Sequence, residues 1–565
     1  MMYGIEYEEF PARIAEVAMW LMDHQMNMLI SDEFGKYFAR LPLKKAAKIV
    51  HGNALQIDWK NLIKNDTIEI TSDNATVILN EPQIEYTNVN IKTNNLTIID
   101  DRISTKDRIQ IRNTFDYILG NPPFVGKSNQ DTDQKADMEK IFAGCKGTGV
   151  LDYVTAWYLK AAQLIQNTNT KVAFVSTNSI SQGEQVGILW NILFNQYKIK
   201  IHFAHQTFSW SNEAKGNAGV HVIIVGFANY DSNNKSIFEY ENIKEEPHEI
   251  KVKNINPYLF ESDDSLVISR RNPICNIPRL IYGNKPVDGG FLSFTTVEKN
   301  ELINKNPTCE KFIRRLYGSD EYINNIERWC LWLIDAKPEE LRNMPEVLKR
   351  IEGVRKSRLN STKQATIKLA ESPTLFAEIR QPYNDFLIIP RVSSERRKYI
   401  PIGKLGKEFI VNDLVSIIPD SNLYHFGILS SIMHMVWVKY VCGRLESRFR
   451  YSNDIVYNNY SWPENPTEKQ IKAIEEKAQK VLDVRAMFPD SSLADLYNPL
   501  IMPPSLVKAH NDLDKAVDLA YRPQAFTSEA NRMVYLFELY EKYTADLFTT
   551  EKKKVFKIKK SDDKK

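Results

Sequence analysis

The tetrapeptide Asn121-Pro122-Pro123-Phe124 follows a short apolar stretch, and its residue types are suited to holding a planar group. Gly120 permits a sharp bend, and two prolines with a fixed φ and no backbone N–H end the strand and stiffen the loop. Asn121 supplies one acceptor, the Pro122 carbonyl a second, and Phe124 a flat aromatic face. Two acceptors beside a ring could bind a planar group that carries an NH2. An ordinary Asn-Pro turn after a strand is the alternative interpretation.

Three acidic or polar residues, Glu6, Asn53 and Asp116, lie at predicted strand ends ahead of the Asn-Pro-Pro-Phe loop. Glu6 ends the strand YGIE, and Asn53 follows the strand AKIVH and Gly52. In an α/β nucleotide-binding fold, an acid that closes the second strand can accept hydrogen bonds from both ribose hydroxyls. A side-chain acceptor at the next strand end can read an adenine amino group. A solvent-facing carboxylate at Glu6 and a simple turn at Asn53 are the alternatives, but their order ahead of the Asn-Pro-Pro-Phe loop favours a nucleotide site.

The elements that would position these residues alternate between strand and helix over residues 1–230. Helical spacing of apolar residues predicts helices in YEEFPARIAEVAMWLMDHQMNMLI, LDYVTAWYLKAAQLI and GEQVGILWNILFNQ. Apolar runs predict strands in AKIVH, FDYILG, KVAFVSTNSI, IKIHFAHQTFSW and VHVIIVGFAN. Such alternation predicts a doubly wound, mostly parallel α/β sheet with ligand sites at its carboxyl edge. Residues 60–112 are rich in asparagine and predict an insertion of short β elements.

The composition is that of an ordinary globular protein. The chain has 565 residues, of which 43% are hydrophobic and 26% charged, and this length predicts two to four domains. We find no apolar run long enough to span a membrane and no signal-peptide pattern, so we predict a cytoplasmic protein. The five cysteines are scattered without a CxxC pair, which fits a reducing compartment and argues against structural zinc; we predict no metal site.

Positive charge is concentrated in one region, although the net charge of the chain is only +3. Residues 349–404 hold 13 Lys or Arg against 5 Asp or Glu, a local net charge of +8. With interleaved aromatic and hydroxyl residues, this composition is typical of a surface that binds nucleic-acid phosphates. A solvated basic helix face is the alternative. The end of the chain, residues 551–565, holds 8 Lys against 3 acids and predicts a disordered tail.

The chain resembles the γ-type adenine-N6 DNA methyltransferases, and within them the MmeI-like branch of single-chain restriction-modification enzymes. The resemblance covers nearly the whole chain, in the family's order. It rests on the stretches YGIEYEEFPARIAEVAMW, HGNALQIDW, FDYILGNPPFVG, LDYVTAWYLKAA, VAFVSTNSISQGEQV, FSWSNEAKGNAGVHVIIVGF, IIPRVSSERRKYIPIG, VCGRLESRFRYSNDIVYNNYSWP and LYNPLIMPPSLVKAHNDLDKAVD. Because similar NPPF loops occur in enzymes that methylate RNA guanine or protein glutamine, an RNA or protein methyltransferase stays open as an alternative.

The resemblance implies a cofactor site for S-adenosylmethionine at the strand ends. Glu6 would bind the ribose of the cofactor. Asn53 and the neighbouring Ala54 would contact its adenine ring, and Asn121 would complete the cofactor site.

The resemblance also implies a pocket for an adenine flipped out of double-stranded DNA. Asn121 and the carbonyl of Pro122 would accept hydrogen bonds from the amino group of that base, with Pro123 keeping the loop rigid. Phe124 would stack on the base. Phe208, or alternatively Trp210, would be the second aromatic face.

The domain organisation implied by the resemblance has four parts. Residues 1–245 would form the methyltransferase core, 246–465 an α+β target-recognition domain, 466–550 a helical region and 551–565 the tail. Within the recognition domain, the densest basic stretches predict two DNA-binding clusters. These clusters contain Arg391, Ser393, Ser394, Arg396, Arg397, Lys398, Arg444, Arg448, Arg450 and Tyr451.

The sequence departs from the family pattern at its beginning. The family places a nuclease and a glycine-rich loop of the type DPACGSGNF before the YGIE strand, with which this chain begins. The resemblance therefore implies a sheet that is incomplete at its N-terminus and exposes apolar edges. An upstream-encoded chain could supply the missing part of a split enzyme, or the chain could be a catalytically silent DNA-binding remnant. The segment GCKGTGV at 144–150 is better explained as a flexible loop than as a displaced cofactor site.

Overall fold

The computed structural model describes residues 2–34, 47–62, 68–71, 76–79, 114–210, 220–240 and 245–562. These residues form two compact units, the first comprising Met1–Thr177 and Leu189–Lys253, the second Asn178–Ile188 and Asn254–Lys565. Most of the predicted insertion at 60–112 and the last residues of the predicted tail lie outside the described ranges. The division into four domains stays a prediction, and the backbone of the predicted tail is helical as far as residue 562.

The first unit contains ten described strands and three complete helices. Its strands are β1 (Met2–Glu6), β2 (Ala47–His51), β3 (Ile68–Thr71), β4 (Thr76–Leu79), β5 (Tyr117–Gly120), β6 (Lys171–Thr177), β7 (Lys200–Trp210), β8 (Val220–Ala228), β9 (Lys235–Glu239) and β10 (His248–Val252). Its helices are α1 (Glu9–Phe34), α2 (Thr132–Ile141) and α3 (Thr155–Leu164), together with most of α4 (Glu184–Asn195), whose first turn belongs to the second unit.

Six strands form one sheet in the order β10-β9-β7-β8-β6-β5, while β1 pairs with β2 in a separate two-stranded sheet. β5 is parallel to β6, and β8 is antiparallel to both β6 and β7. The predicted doubly wound α/β sheet is confirmed, with the difference that two of its six strands, β8 and β10, run against their neighbours. Because β7 and β5 run in the same direction, their carboxyl ends lie at the same edge of the sheet.

An aromatic cluster packs α3 against this sheet. The ring of Tyr158 on α3 is buried, with its centroid 5.3 Å from that of Phe174 on β6 and 5.4 Å from that of Phe227 on β8. The Tyr158 hydroxyl lies 2.7 Å from the Ser176 hydroxyl, so the buried phenol keeps a polar partner. This packing fixes α3, the helix that carries Lys160 of the candidate site.

Several apolar side chains on β5 and α1 are exposed. Leu119 is 78% exposed and Tyr117 is 66% exposed. The exposed apolar residues of α1 include Phe10, Ile14, Val17, Leu21 and Leu29. Tyr3 at the start of β1 contacts Phe115, with 5.8 Å between the ring centroids, but no strand pairing joins β1 to β5 among the described strands. These apolar side chains are exposed among the residues that the structure describes.

The second unit is a mixed α+β body followed by helices, as predicted. Its strands are β11 (Ile281–Tyr282), β12 (Ser293–Phe294), β13 (Ile313–Tyr317), β14 (Trp329–Leu331), β15 (Phe386–Pro390), β16 (Val392–Ser393), β17 (Gly403–Leu405), β18 (Ile410–Val411), β19 (Val415–Ile418), β20 (Arg444–Leu445) and β21 (Arg448–Arg450). Its helices are α5 (Thr296–Lys305), α6 (Ser319–Asn324), α7 (Pro338–Arg342), α8 (Pro345–Leu359), α9 (Gln364–Lys368), α10 (Leu423–Leu429), α11 (Ile432–Val441), α12 (Glu468–Ala486), α13 (Leu493–Leu496), α14 (Pro504–Tyr521) and α15 (Glu529–Asp562).

The strands of the second unit form three small sheets, in the orders β11-β19-β15-β17, β12-β14-β13-β18 and β16-β21-β20. In the C-terminal part, α12 packs on α14 and α10. In the part of the chain that the structure describes, no helix combines the length and apolar character that a membrane span requires.

Candidate functional site

Glu6 and Asn53 lie at the ends of two parallel strands, as predicted from their positions in the sequence. The Gly52 N–H donates to the Glu6 carbonyl oxygen at 2.9 Å, which joins the two strand ends. Gly52 has a φ of +146°, a conformation that favours glycine. One carboxylate oxygen of Glu6 accepts a hydrogen bond from the Tyr7 N–H at 2.9 Å, which orients the carboxylate at the edge of the sheet.

The amide of Asn53 is held in one orientation by its neighbours. Its Nδ2 donates to Asp137 Oδ2 at 2.7 Å, and its Oδ1 accepts from the Leu55 N–H at 2.9 Å. Because a carbonyl oxygen has two lone pairs, Oδ1 can accept one more hydrogen bond. The Ala54 N–H beside it donates to no group within the described ranges. An acceptor next to a free N–H is complementary to the amino group and ring nitrogen of adenine.

Lys160 of α3 anchors the backbone of the same loop. Its ammonium group donates to the carbonyl oxygens of Ala54, Leu55 and Ile57 at 2.8, 2.7 and 2.6 Å. Burial lowers the pKa of Lys160 to about 8, and the three carbonyls use all three donors of the charged form. The loop from residue 52 to residue 59, called the cofactor loop below, is therefore tied to α3.

The Asn-Pro-Pro-Phe loop follows β5 directly. A Cβ at Gly120 would lie 3.0 Å from two ring atoms of Phe174, so the close approach of β5 to β6 favours glycine there. Asn121 is exposed and Pro122 is buried. Neither the Asn121 amide nor the Pro122 carbonyl is hydrogen-bonded to any residue that the structure describes. Both acceptors therefore lack a hydrogen-bond partner among the described residues, and the Asn121 side chain is exposed.

The far end of this loop is fixed by the residues before α3. The Tyr153 N–H donates to the Val125 carbonyl at 2.9 Å, and the Lys127 N–H donates to Asp152 Oδ1 at 2.9 Å. Phe124 lies between these contacts and the open acceptors and is half-buried. The segment from residue 121 to residue 126, called the acceptor loop below, is thus held at both ends.

Phe208 lies near the carboxyl end of β7, at the same edge of the sheet as the acceptor loop. Its ring is stacked on Tyr240, with 5.1 Å between centroids and 17° between planes. Trp210 contacts Phe208 at 6.0 Å and is itself more exposed. The stacking on Tyr240 fixes the ring of Phe208, which favours Phe208 over Trp210 as an aromatic face.

The two predicted DNA-binding clusters, about 50 residues apart in sequence, meet in one sheet of the second unit. β16 pairs with β21, placing Val392 opposite Arg450, and β21 pairs with β20. The Tyr451 N–H donates to the Arg391 carbonyl at 2.8 Å and extends this pairing.

Several residues of the two clusters lie inside the second unit. Ser393 is buried, and Arg391 donates to the Asp413 carbonyl at 2.8 Å. Arg444 donates to Gln182 Oε1 at 3.1 Å and stacks over the ring of Phe449, and burial lowers its pKa to about 10.

Tyr451 is buried, and its hydroxyl lies 2.9 Å from Nε2 of His434. The other ring nitrogen of His434 lies 2.7 Å from the Leu429 carbonyl, which can only accept, so that nitrogen carries the proton and Nε2 accepts from Tyr451. Burial lowers the pKa of His434 to about 4, so the ring is neutral. Tyr451 therefore supports the sheet from within.

The remaining members of the clusters face outward to different degrees. Ser394 and Arg397 are partly exposed, whereas the exposed cations of the clusters are Arg396, Lys398, Arg448 and Arg450. The segment that follows Lys398 is anchored to the C-terminal helix α14, because the Tyr399 hydroxyl donates to Asp514 Oδ2 at 2.6 Å.

Sequence reasoning did not find Asp137, Tyr153 or Lys160. Asp137 lies 84 residues from Asn53, and nothing local to either residue indicates the contact. Tyr153 and Lys160 fall inside the stretch LDYVTAWYLKAA, where they resemble ordinary residues of an amphipathic helix. Among the described residues, no group of three or more His, Cys, Asp or Glu is arranged to hold a metal ion.

Comparisons with known proteins agree with this architecture. The family described as MmeI, DNA-methyltransferase domain, matches residues 1–239; MmeI, target recognition domain, matches 261–464; and MmeI, C-terminal domain, matches 466–548. DNA methyltransferase A of Bacillus subtilis (strain 168) is 38% identical over 544 residues, which are 96% of this chain and 56% of that protein.

A solved structure with the same architecture is that of the Type IIL restriction-modification enzyme MmeI in complex with DNA. It is 48% identical with a TM-score of 0.78, and the match covers 96% of this chain and 66% of that one. The chain thus spans less than two thirds of the length of either relative. Its fold and domain matches define a DNA-methyltransferase domain joined to a target-recognition domain. Within that class, the chain belongs to the MmeI family.

Proposed function

We propose that this chain is the methyltransferase and target-recognition part of a restriction-modification enzyme that methylates N6 of adenine in DNA. The observation that carries the proposal is a pair of acceptors, Asn121 and the Pro122 carbonyl, that no described residue binds, on a loop held at both ends. The relatives are a DNA methyltransferase and a Type IIL enzyme in complex with DNA, which supports DNA as the substrate.

The two acceptors of the acceptor loop suit the chemistry of an exocyclic amine. Such an amine is a poor nucleophile because its lone pair is conjugated with the ring. Hydrogen bonds from the amino group to Asn121 Oδ1 and the Pro122 carbonyl raise the lone-pair character of the nitrogen. Positioning and electrostatics then supply the rate, and no general base has to act before methyl transfer. Phe124 and Phe208 replace the stacking that a flipped base loses.

The cofactor loop and Glu6 fit the adenosine portion of S-adenosylmethionine. Glu6 would accept hydrogen bonds from the ribose, Asn53 Oδ1 would accept from the adenine amino group, and the Ala54 N–H would donate to the ring. When bound, S-adenosylmethionine supplies an electrophilic methyl group.

We further propose that an upstream-encoded segment, on the same or a separate chain, completes the sheet beside β1 and β5. The exposed apolar side chains of Leu119 and Tyr117 on β5 and those along α1 support this proposal, because soluble proteins rarely leave such edges uncovered. A catalytically silent DNA-binding remnant is the second candidate, favoured by the same exposed edge.

The decisive experiment is calorimetric titration of the chain with S-adenosylmethionine, with and without the upstream segment. The same samples are incubated with duplex DNA and the digested DNA is analysed for N6-methyladenine by mass spectrometry. We expect binding and N6-methyladenine when the segment is present. Binding by the chain alone would show that the segment is dispensable. Absence of binding in both samples would leave the silent remnant, and methylated cytosine would contradict the assignment of the base.

We expect the exposed cations of β21 to contribute to DNA binding through phosphate contacts. The double variant Arg448→Ala/Arg450→Ala should weaken binding to a duplex of random sequence. The slope of log K against log salt should become shallower by about 2, because each lost phosphate contact removes about 0.9. Fluorescence anisotropy at several salt concentrations measures both quantities. The control is Lys480→Ala on α12, an exposed cation outside the sheet. An equal loss in both variants would remove β21 from the DNA surface.

A further inference from the structure

The two loops of the candidate site follow strands that belong to two different sheets. The cofactor loop follows β2 of the two-stranded sheet, and the acceptor loop follows β5 of the six-stranded sheet. No ladder hydrogen bond joins the two sheets among the strands that the structure describes. Methyl transfer requires the two bound ligands to approach within about 3–3.5 Å in line. Contacts other than strand pairing must therefore hold the loops at the required separation.

We propose that Tyr153 and Asp137 are positioning residues that set the separation and orientation of the cofactor loop relative to the acceptor loop. This inference rests on the proposed function of the two loops and adds to it the residues that connect them. Neither residue touches the reacting atoms in this scheme, because both act through Asn53 and the loop backbone.

Tyr153 contacts both loops at once. Its backbone N–H donates to the Val125 carbonyl of the acceptor loop at 2.9 Å, and its hydroxyl donates to Asp137 Oδ2 at 2.8 Å. Burial and the hydrogen bond to Asp137 both raise the pKa of Tyr153, so the hydroxyl keeps its proton and remains a donor. One residue thus holds the acceptor loop with its backbone and the anchor of the cofactor loop with its side chain.

Asp137 accepts hydrogen bonds from two side chains of the cofactor loop. Its two carboxylate oxygens accept from Asn53 Nδ2 at 2.7 Å and from Gln56 Nε2 at 3.0 Å, in addition to the Tyr153 hydroxyl. Asp137 is only 6% exposed, and a buried carboxylate with three donors is a well-satisfied group. The ammonium of Lys160, bound to the backbone of the same loop, supplies a positive charge nearby.

The acceptor-only chemistry of Asp137 also determines which way the Asn53 amide faces. An ionised carboxylate can bind Nδ2 but not Oδ1, so the amide oxygen must face away from Asp137. Oδ1 then offers an acceptor to a ligand amino group and rejects a ligand carbonyl. Asp137 would therefore make the cofactor loop select adenine over hypoxanthine, which carries an oxygen where adenine carries its amino group.

Three variants of the full chain, with the proposed upstream segment added for the activity assays, test this inference. Tyr153→Phe removes only the hydroxyl and keeps the backbone contact with Val125. Asp137→Asn replaces the acceptor-only carboxylate with an amide that can bind either face of Asn53. Tyr197→Phe is the matched control, because among the described residues its hydroxyl is hydrogen-bonded to Gln163 alone, at 3.2 Å, on the surface of the same unit.

The first measurement is hydrogen exchange of the backbone amides in the cofactor loop, which requires no ligand. In Tyr153→Phe and Asp137→Asn we expect the amides of residues 55–57 to exchange at least about tenfold faster, with no change in Tyr197→Phe. Unchanged exchange in Tyr153→Phe would overturn the inference whether or not the chain methylates DNA. Absence of N6-methyladenine from the wild type would instead overturn the proposed function.

The second measurement separates positioning from general destabilisation. In Tyr153→Phe we expect kcat to fall at least about tenfold, because the separation of the two loops is no longer fixed. KM for S-adenosylmethionine should change little, because a loop that opens more often still spends most of its time closed on Asp137. For the wild type we expect S-adenosylhomocysteine to bind about 100-fold more tightly than S-inosylhomocysteine. This ratio should shrink at least about tenfold in Asp137→Asn. A ratio that stays constant while both affinities fall would mean that Asp137 supports the loop without orienting Asn53.

Discussion

Replacing Asn121 with alanine should reduce methyl transfer to adenine by about 10³-fold and leave binding of S-adenosylmethionine within about twofold. The variant removes one of two acceptors that bind the amino group most strongly as charge develops on it. Loss of one such preorganised group raises the activation free energy by about 4 kcal/mol. Since Asn121 makes no hydrogen bond within the described structure, its removal should not disturb the fold. Single-turnover transfer of labelled methyl to DNA measures the chemical step directly.

Two further variants separate the acceptor from the rest of the side chain. Asn121→Asp keeps an acceptor oxygen at the same position and should retain a larger part of the activity than Asn121→Ala. Asn129→Ala, an exposed asparagine eight residues further along the chain, should transfer methyl at the wild-type rate. If Asn121→Ala raised KM for the cofactor and left kcat unchanged, Asn121 would be a cofactor ligand rather than an acceptor for the target amine.

The parts of the candidate site that could be predicted from the sequence are those specified by local chemistry. Glycine and proline mark the end of β5 through their own backbone chemistry, independently of the rest of the fold. The acceptor loop can therefore be predicted from the residues Gly120 to Phe124. Glu6 and Asn53 are visible for the same reason, since each follows an apolar strand. The resemblance to the MmeI-like family added their roles, and the family itself is confirmed by the matches over residues 1–239, 261–464 and 466–548.

The parts that could not be predicted depend on contacts between distant segments. Apolar alternation marks β8 as a strand but carries no information about its direction, which is antiparallel to both neighbours. The contact of Asp137 with Asn53 could not be predicted for a similar reason. A carboxylate in a polar helix such as α2 has no local sequence pattern that marks it as buried. A count of charges also fails to predict the DNA-binding surface, since it treats every arginine as exposed.

Arg358 is the clearest case, and replacing it should lower the free energy of unfolding of the second unit by about 4 kcal/mol. It lies on α8 within the basic stretch 349–404, but it is only 1% exposed. All five of its N–H groups donate to backbone carbonyls at 2.7–3.1 Å. These carbonyls belong to Pro286, Val287, Leu369, Ser372 and Leu375.

Arg358→Met keeps most of the apolar stem and leaves these five carbonyls without their donor, so the predicted cost comes from unsatisfied polar groups in the interior. Arg358→Lys should recover little of the loss, because one ammonium cannot reproduce the planar arrangement of five donors. Arg355→Ala, which removes an exposed arginine from the same helix, should change the free energy of unfolding by less than about 0.5 kcal/mol. Urea unfolding followed by a signal from the second unit compares the three variants.

The same variants decide whether Arg358 belongs to the interior or to the DNA surface. A phosphate-binding arginine at the surface would weaken DNA binding when replaced and leave the unfolding transition unchanged. Replacing an interior arginine should instead shift the unfolding transition, and it should leave DNA binding unchanged at temperatures where the second unit stays folded. We expect the second result, because each donor of Arg358 already has a backbone partner. The positive surface of residues 349–404 would then be smaller than its net charge of +8 implies. The exposed cations of the two predicted clusters, at 396, 398, 448 and 450, would remain candidates for contacts with DNA.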